Sequence, residues 1–261
     1  MPTVAPVFDD TFSNRWLLLL VSGTITQIFC AFAMFVSHFI FSYTCLTYGS
    51  LSFKAQVKWN FRSSRVLAGG LGIFGGLYAL FGSHNLGVLG HSWKTDLIFS
   101  SYFGYTFFET ILLVYFADSR NPFENSGILW LLFHHFLVGG GAILTVVKAP
   151  FSLHYLGLLL LTNEVVVISY SILVIGRKCG YEDHGFIVFN EYALFWQYVM
   201  RQVLFIWLSI YLYNHRAYLA QCDLLTQMFT VVGLLSLTLI VNPFWTYECY
   251  LDLKKRKTKT N

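Results

Sequence analysis

Two histidines in succession, His134 and His135, stand inside an apolar run that continues through Gly139, Gly140 and Gly141. A neutral imidazole accepts at one ring nitrogen and donates at the other. Once a carboxylate or amide orients it, such a ring serves as a general base or an acyl-accepting nucleophile. Placing it in hydrocarbon is costly unless its polar atoms are satisfied. For a single intramembrane histidine, an interhelical hydrogen bond is reason enough. A doublet asks for more, because successive helical positions point about 100° apart and one contact takes only one ring. Glu109, Glu164 and Arg201 carry charge into other apolar runs; Gln197 lies one turn before Arg201 and Ser171 two turns after Glu164. Facing lipid, the three charges would cost about 3 kcal/mol each, so they are expected to face one another. Arg201 is therefore expected to pair with Glu164 or Glu109, beside a polar cavity bordered by His134 or His135 and lined by Gln197 and Ser171. The alternative is a polar plug with a packing role only.

The elements that must position these groups are membrane helices. Only 11% of the 261 residues are charged and 56% are hydrophobic, where soluble domains carry about a quarter charged. The sequence therefore reads as an all-α, polytopic transmembrane bundle with no room for a separate soluble domain. Apolar runs at 16–41, 66–81, 97–115, 129–147, 153–175, 192–213 and 224–249 each approach the ~20 residues that span a bilayer. The second run, with Gly69, Gly70, Gly72, Gly75 and Gly76, reads either as a helix packed closely against a neighbour or as a broken one. Asn242-Pro243 is expected to kink the seventh, and Trp16, Trp93, Trp130 and Trp245 fall where interfacial aromatics sit. Glu191 and Glu248 read as interfacial, and the dispersed His38, His84, His91, His154, His184 and His215 as mostly interfacial or in loops.

Basic residues set the orientation. Lys54, Lys58, Arg62 and Arg65 in a loop at 43–65, Arg120 near Asp118, Arg177 and Lys178, and the tail lysines with Arg256 fall on one side. Arg15, Lys94, Lys148 and Arg216 fall on the other. Positive loops remain cytosolic, which puts the C-terminus in the cytosol and the N-terminus in the lumen. Asp9 and Asp10 with no basic n-region mark the first run as a retained span. Lys257 and Lys259, fifth and third from the end, resemble the dilysine signal by which a retrieval coat returns proteins to the endoplasmic reticulum; a plain basic flank is the alternative. No Asn-x-Ser/Thr site, phosphate loop, dinucleotide fingerprint or zinc spacing occurs. The five scattered cysteines give no disulfide framework. Spaced HxxxH or HxxHH boxes are absent, which argues against metal oxygenation, and no lysine in the seventh run is placed to hold retinal. Neither a metal nor a nucleic acid is expected, whereas aqueous ion conduction stays open.

At ~1.5 Å per residue, the histidines lie about 9 Å, Glu109 about 12 Å, and Glu164 and Arg201 about 16 Å from the cytosolic ends of their helices. A lipid chain suits an apolar tunnel with one polar end, and a doublet at that depth can meet an acyl thioester arriving from the cytosol. Three stretches resemble the TLC-domain family, the membrane domain of ceramide synthases and of smaller TLC proteins. They are Lys54-x-x-x-Lys58-Trp59-Asn60 before the Gly-rich run, the His134-His135 doublet, and Leu158-Leu159-Leu160-Leu161-Thr162-Asn163-Glu164. The resemblance spans 51–254. It implies a first span within 1–50, a TLC-type domain at 51–254 and a basic tail at 255–261. Ceramide synthases carry aspartates after the doublet, whereas here none falls between His135 and Asp183, so the pattern is more similar to the small TLC proteins linked to membrane lipid composition. The expected protein resides in the endoplasmic reticulum and acts on membrane lipids, as a regulator or sensor needing no cofactor. A second reading is an acyltransferase with acyl-CoA as co-substrate, His134 or His135 as base or nucleophile, and Glu164 or Glu109 as orienting carboxylate. A third is an escort or transporter of membrane cargo.

Overall fold

A computed structural model describes residues 12–82, 92–116, 126–148 and 153–260. Asp9, Asp10, His84, His91, Asp118 and Arg120 lie outside the described residues. Among the described residues there is no strand. Seven helical spans among these residues are long and apolar enough to cross a membrane: Asn14–Thr44, Phe53–Gly82, Trp93–Tyr115, Ile128–Val147, His154–Lys178, Gly185–Asn214 and Leu224–Thr258. The protein is thus an all-α membrane bundle.

Helix α1 (Phe12–Thr44) lies against α2 (Phe53–Leu77) and α3 (Trp93–Phe116). Its outer face shows Leu20, Phe29, Phe32 and Phe35, as a lipid-facing helix should. The α1–α3 crossing is a backbone contact, since a Cβ on Gly104 would come 2.3 Å from the Gly23 carbonyl oxygen.

Helix α2 corrects the sequence reading. It begins at Phe53, capped by Ser52, whose hydroxyl accepts from the Ala55 amide. The stretch expected as a loop at 43–65 therefore holds the first three turns of a span, and Lys54, Lys58, Arg62 and Arg65 line up on it at helical spacing. Polar opening turns depressed the hydropathy that located the run at 66–81. Gly69, Gly72, Gly75 and Gly76 do pack closely, whereas Gly70 faces outward with nothing against it, and the helix is continuous until a π-helical turn at Tyr78–Gly82.

α4 (Ser126–Val147) packs on α3 and carries the histidine doublet. The fifth span is α5 (His154–Leu161), a 3-10 turn at Thr162–Glu164, and α6 (Val165–Lys178). The turn is clamped by α2: a Cβ on Gly72 would meet the Leu161 carbonyl oxygen at 2.4 Å, and one on Gly76 would meet Thr162 Cγ2 at 1.8 Å.

α7 (Gly185–Asn214) starts earlier than the run at 192–213. Glu191 consequently lies inside a helix, buried between Arg177 (2.7 Å) and Arg256 (2.6 Å), rather than solvated at an interface. The short α8 (Arg216–Leu219) leads to α9 (Leu224–Ser236), which is capped by Asp223. Burial alone would raise the pKa of that carboxyl, but hydrogen bonds from the Thr226 hydroxyl and the amides of Thr226 and Leu225, with the charge of Lys148, together hold it below its usual value.

Instead of a bare proline kink, a π-helical turn at Leu237–Val241 precedes Asn242-Pro243 and opens α10 (Asn242–Thr260). Proline withholds one backbone donor. Neighbouring α7 supplies polar partners here: Gln202 donates to the Thr238 carbonyl (2.8 Å), and Asn242 donates to Gln202 (2.7 Å) and to the Tyr198 carbonyl (3.2 Å). The basic tail continues α10 as helix through Thr260.

Candidate functional site

Four helices bring the ionisable groups into two histidine–glutamate pairs. In the first, Glu109 of α3 is 2% exposed and accepts from the Arg65 guanidinium of α2 and from the Tyr105 hydroxyl one turn away on its own helix. His135 Nε2 stands 3.4 Å from the same carboxylate, and His135 Nδ1 lies 3.1 Å from the Thr110 hydroxyl. Every polar atom of this ring has a partner.

The second pair is less occupied. His134 Nε2 stands 3.9 Å from Glu164, the last residue of the 3-10 turn, and the Tyr102 hydroxyl reaches that carboxyl from α3. Trp245 meets the His134 ring edge-on at 5.3 Å between centroids. His134 Nδ1 is buried and has no hydrogen-bond partner among the described residues. A 100° rotation between neighbours on α4 sends the two rings to different carboxylates, which is how the doublet is used.

Arg201 of α7 corrects the expected pairing. Only 4% exposed, it makes no ion pair within 4 Å and no hydrogen bond among the described residues. Its guanidinium rests instead on the rings of Phe205, Trp245 and Tyr198, at 5.2, 5.4 and 6.0 Å. Glu164 and His134 feel its charge without touching it. Arg65, assigned by the sequence to a loop, is the cation that pairs with Glu109.

Two cavities meet at these residues. A polar one of about 620 Å³ includes Lys58, Arg62, Arg65, Glu109, His135 and Asp252 in its wall. It lies toward the end of the bundle where α2 begins and α10 finishes. A smaller one of about 120 Å³ is walled by apolar side chains including Phe99, Leu137, Leu156, Phe205 and Phe229. Tyr102, His134, Glu164 and Arg201 belong to both walls.

Gln197 and Ser171 line neither cavity. Ser171 is fully buried and donates to the Val167 carbonyl of its own helix at 2.7 Å, the usual fold-back of a short hydroxyl side chain. The wall of α7 follows Tyr198, Arg201 and Phe205, a stripe that leaves Gln197 aside. Trp245, expected at an interface, is part of the polar cavity's wall. Sequence reasoning also missed Tyr102 and Tyr105, although the spacing Tyr102-x-x-Tyr105-x-x-x-Glu109 puts all three on one helical face. Lys257 and Lys259 ride on the last turns of α10, next to the Arg256 that is held by Glu191. No three histidine, cysteine or acidic side chains converge as a metal site among the described residues.

The chain is similar to Protein CLN8. The mouse protein (Mus musculus) is 25% identical over 250 residues, which cover 93% of this chain and 83% of the relative, and the rat protein (Rattus norvegicus) gives the same figures. The dog protein (Canis lupus familiaris) is 25% identical over 254 residues, 94% of this chain and 85% of its own. No family model and no solved structure matches. The alignments with the CLN8 proteins extend over most of the bundle, so the likeness is not confined to one helix pair.

Proposed function

We propose that the protein acts in lipid homeostasis of the endoplasmic-reticulum membrane, and does so by transferring an acyl group from acyl-CoA to an amine or hydroxyl of a membrane lipid. His134 is the base in this reading. The observation that carries it is the unequal use of its two nitrogens, one facing Glu164 and the other buried without a partner, in a residue that belongs to the walls of both the apolar pocket and the polar cavity. A carboxylate on one side fixes the ring and steadies its protonated form; the free nitrogen is left to take a proton from the acceptor. General-base groups of this kind are worth about 10²–10⁴-fold in rate.

His135, Glu109 and Arg65 form the supporting pair that holds α2, α3 and α4 together. Several features support the lipid setting: the family resemblance carried by His134, His135 and Glu164, the similarity to CLN8 proteins along most of the chain, and the apolar wall beside the histidine. In this reading the cation-bearing end, with Lys58 and the C-terminus, faces the cytosol, where acyl-CoA is met, and Lys257 and Lys259 serve a retrieval coat.

The test is lipidomics on cells expressing wild type, His134→Ala or His135→Ala at matched protein level, followed by purified protein with labelled acyl-CoA. A product that wild type forms and His134→Ala does not is the expected result. Lipids and label that do not depend on His134 would sink the acyl-transfer reading and favour a non-enzymatic lipid regulator, a role consistent with the missing aspartates after the doublet.

A further inference from the structure

We infer that Arg201 holds the carbonyl oxygen of the acyl thioester and carries the negative charge that builds on it. The inference rests on the acyl-transfer reading. A guanidinium presents five N–H donors in a planar fork and stays charged at any pH the protein meets. Burying one without an anion is expensive, and in folded proteins such groups are nearly always paired. Here the side chain is 4% exposed, its Nε is sealed off without a partner, and its remaining donors belong to the wall shared by the two cavities. Three aromatic rings hold it in place. Ring faces compensate part of the buried charge and accept none of the N–H bonds in the way an oxygen does.

The location selects the ligand group. Arg201 stands beside His134, which needs a reacting carbon within reach, and between a cavity that suits a polar moiety and a pocket that suits a hydrocarbon. At about 120 Å³, the pocket is close to the ~150 Å³ known to hold a benzene molecule, enough for the carbons next to a carbonyl. A permanently charged carboxylate there would pair with Arg201 in the ground state. A thioester oxygen becomes anionic only during reaction, and donors aimed at it then stabilise the transition state selectively.

His134 takes the proton from the acceptor hydroxyl or amine as that atom bonds to the thioester carbon, and the C=O electron pair moves onto oxygen beside Arg201. Its return breaks the C–S bond. The thiolate then leaves with the proton from His134.

The experiment compares purified wild type, Arg201→Gln and Arg201→Lys for acyl transfer from labelled acyl-CoA and for thermal unfolding. Loss of one such donor group lowers kcat by about 10²–10³-fold. Expected for Arg201→Gln is that loss, a KM within a few-fold of wild type, and an unfolding midpoint equal to or above wild type, since an uncompensated buried charge has been removed. Arg201→Lys should recover part of the turnover. If Arg201→Gln turns over like wild type, or unfolds several degrees earlier as a structural ion pair would, the role of Arg201 is overturned while acyl transfer stands. A wild type that transfers no acyl group overturns both.

Discussion

The two histidine–glutamate pairs sit on the same helix, one residue apart, and differ in how completely they are satisfied. In His135 and Glu109 themselves nothing is left open: Arg65, Tyr105 and Thr110 take up what the pair leaves over, and only the Nε of Arg65, outside the pair, stays without a partner. His134 and Glu164 keep a wider spacing, a ring nitrogen without a partner and an arginine that touches neither. Buried polar groups in a finished network hold a bundle together, whereas an unfinished one costs stability and is kept where something else completes it. The contrast separates a part that stabilises from a part that waits for a ligand.

The sharpest way to break this contrast is His134→Ala, for which turnover should fall about 10³-fold, or ~4 kcal/mol in barrier, with the unfolding midpoint little changed. A variant that loses fold and keeps specific activity would reverse the assignment. Arg65→Met should do the opposite. Stranding Glu109 in the bundle costs about 3–5 kcal/mol, seen as a large drop in the unfolding midpoint in detergent, and adding Glu109→Gln should restore much of it. If the double variant is no better than the single, the two groups are not a pair.

Smaller effects sharpen the comparison. Gly72→Ala pushes a methyl against the Leu161 carbonyl and the Glu164 side chain. Such overpacking costs about 1–3 kcal/mol and should lower turnover as well, because the displaced residue belongs to the open pair. Equal activity per folded molecule would show that Glu164 tolerates displacement. Thr110→Val removes one hydrogen bond from the closed pair, for about 1 kcal/mol of stability, and should leave kcat untouched. A kcat that moves with it would make His135 a participant in the chemistry.

Much of this was legible in the residues because hydrocarbon makes polar side chains conspicuous. His134, His135, Glu109, Glu164 and Arg201 stand out from apolar runs, and all five do meet at the two cavities. What could not be read was which cation meets which carboxylate. Arg65 was hidden by its neighbours: Lys54, Lys58 and Arg62 made the start of α2 look like a loop, although their spacing follows a helical stripe. Counting four residues back from Arg201 leads to Gln197, while the wall follows the three-residue step to Tyr198. Asn242-Pro243 announced an irregularity without saying that it would take the form of a widened turn stitched to α7. Nor does any local signal tell that Thr162, Asn163 and Glu164 tighten into a 3-10 turn; that follows from α2 lying against it.

That contact has a consequence for how the molecule can vary. With Gly69, Gly72 and Gly76 bare, α2 lies directly on the Leu161 carbonyl, on the Ile168 and Thr162 side chains and on the Cβ of Glu164 itself, so the depth of Glu164 in the membrane is measured off by how closely the two helices approach. Lipid-facing positions of the same helix, such as Phe74 and Leu77, are free to drift in size over generations without resetting that ruler. A single added carbon on the inner face would shift its zero.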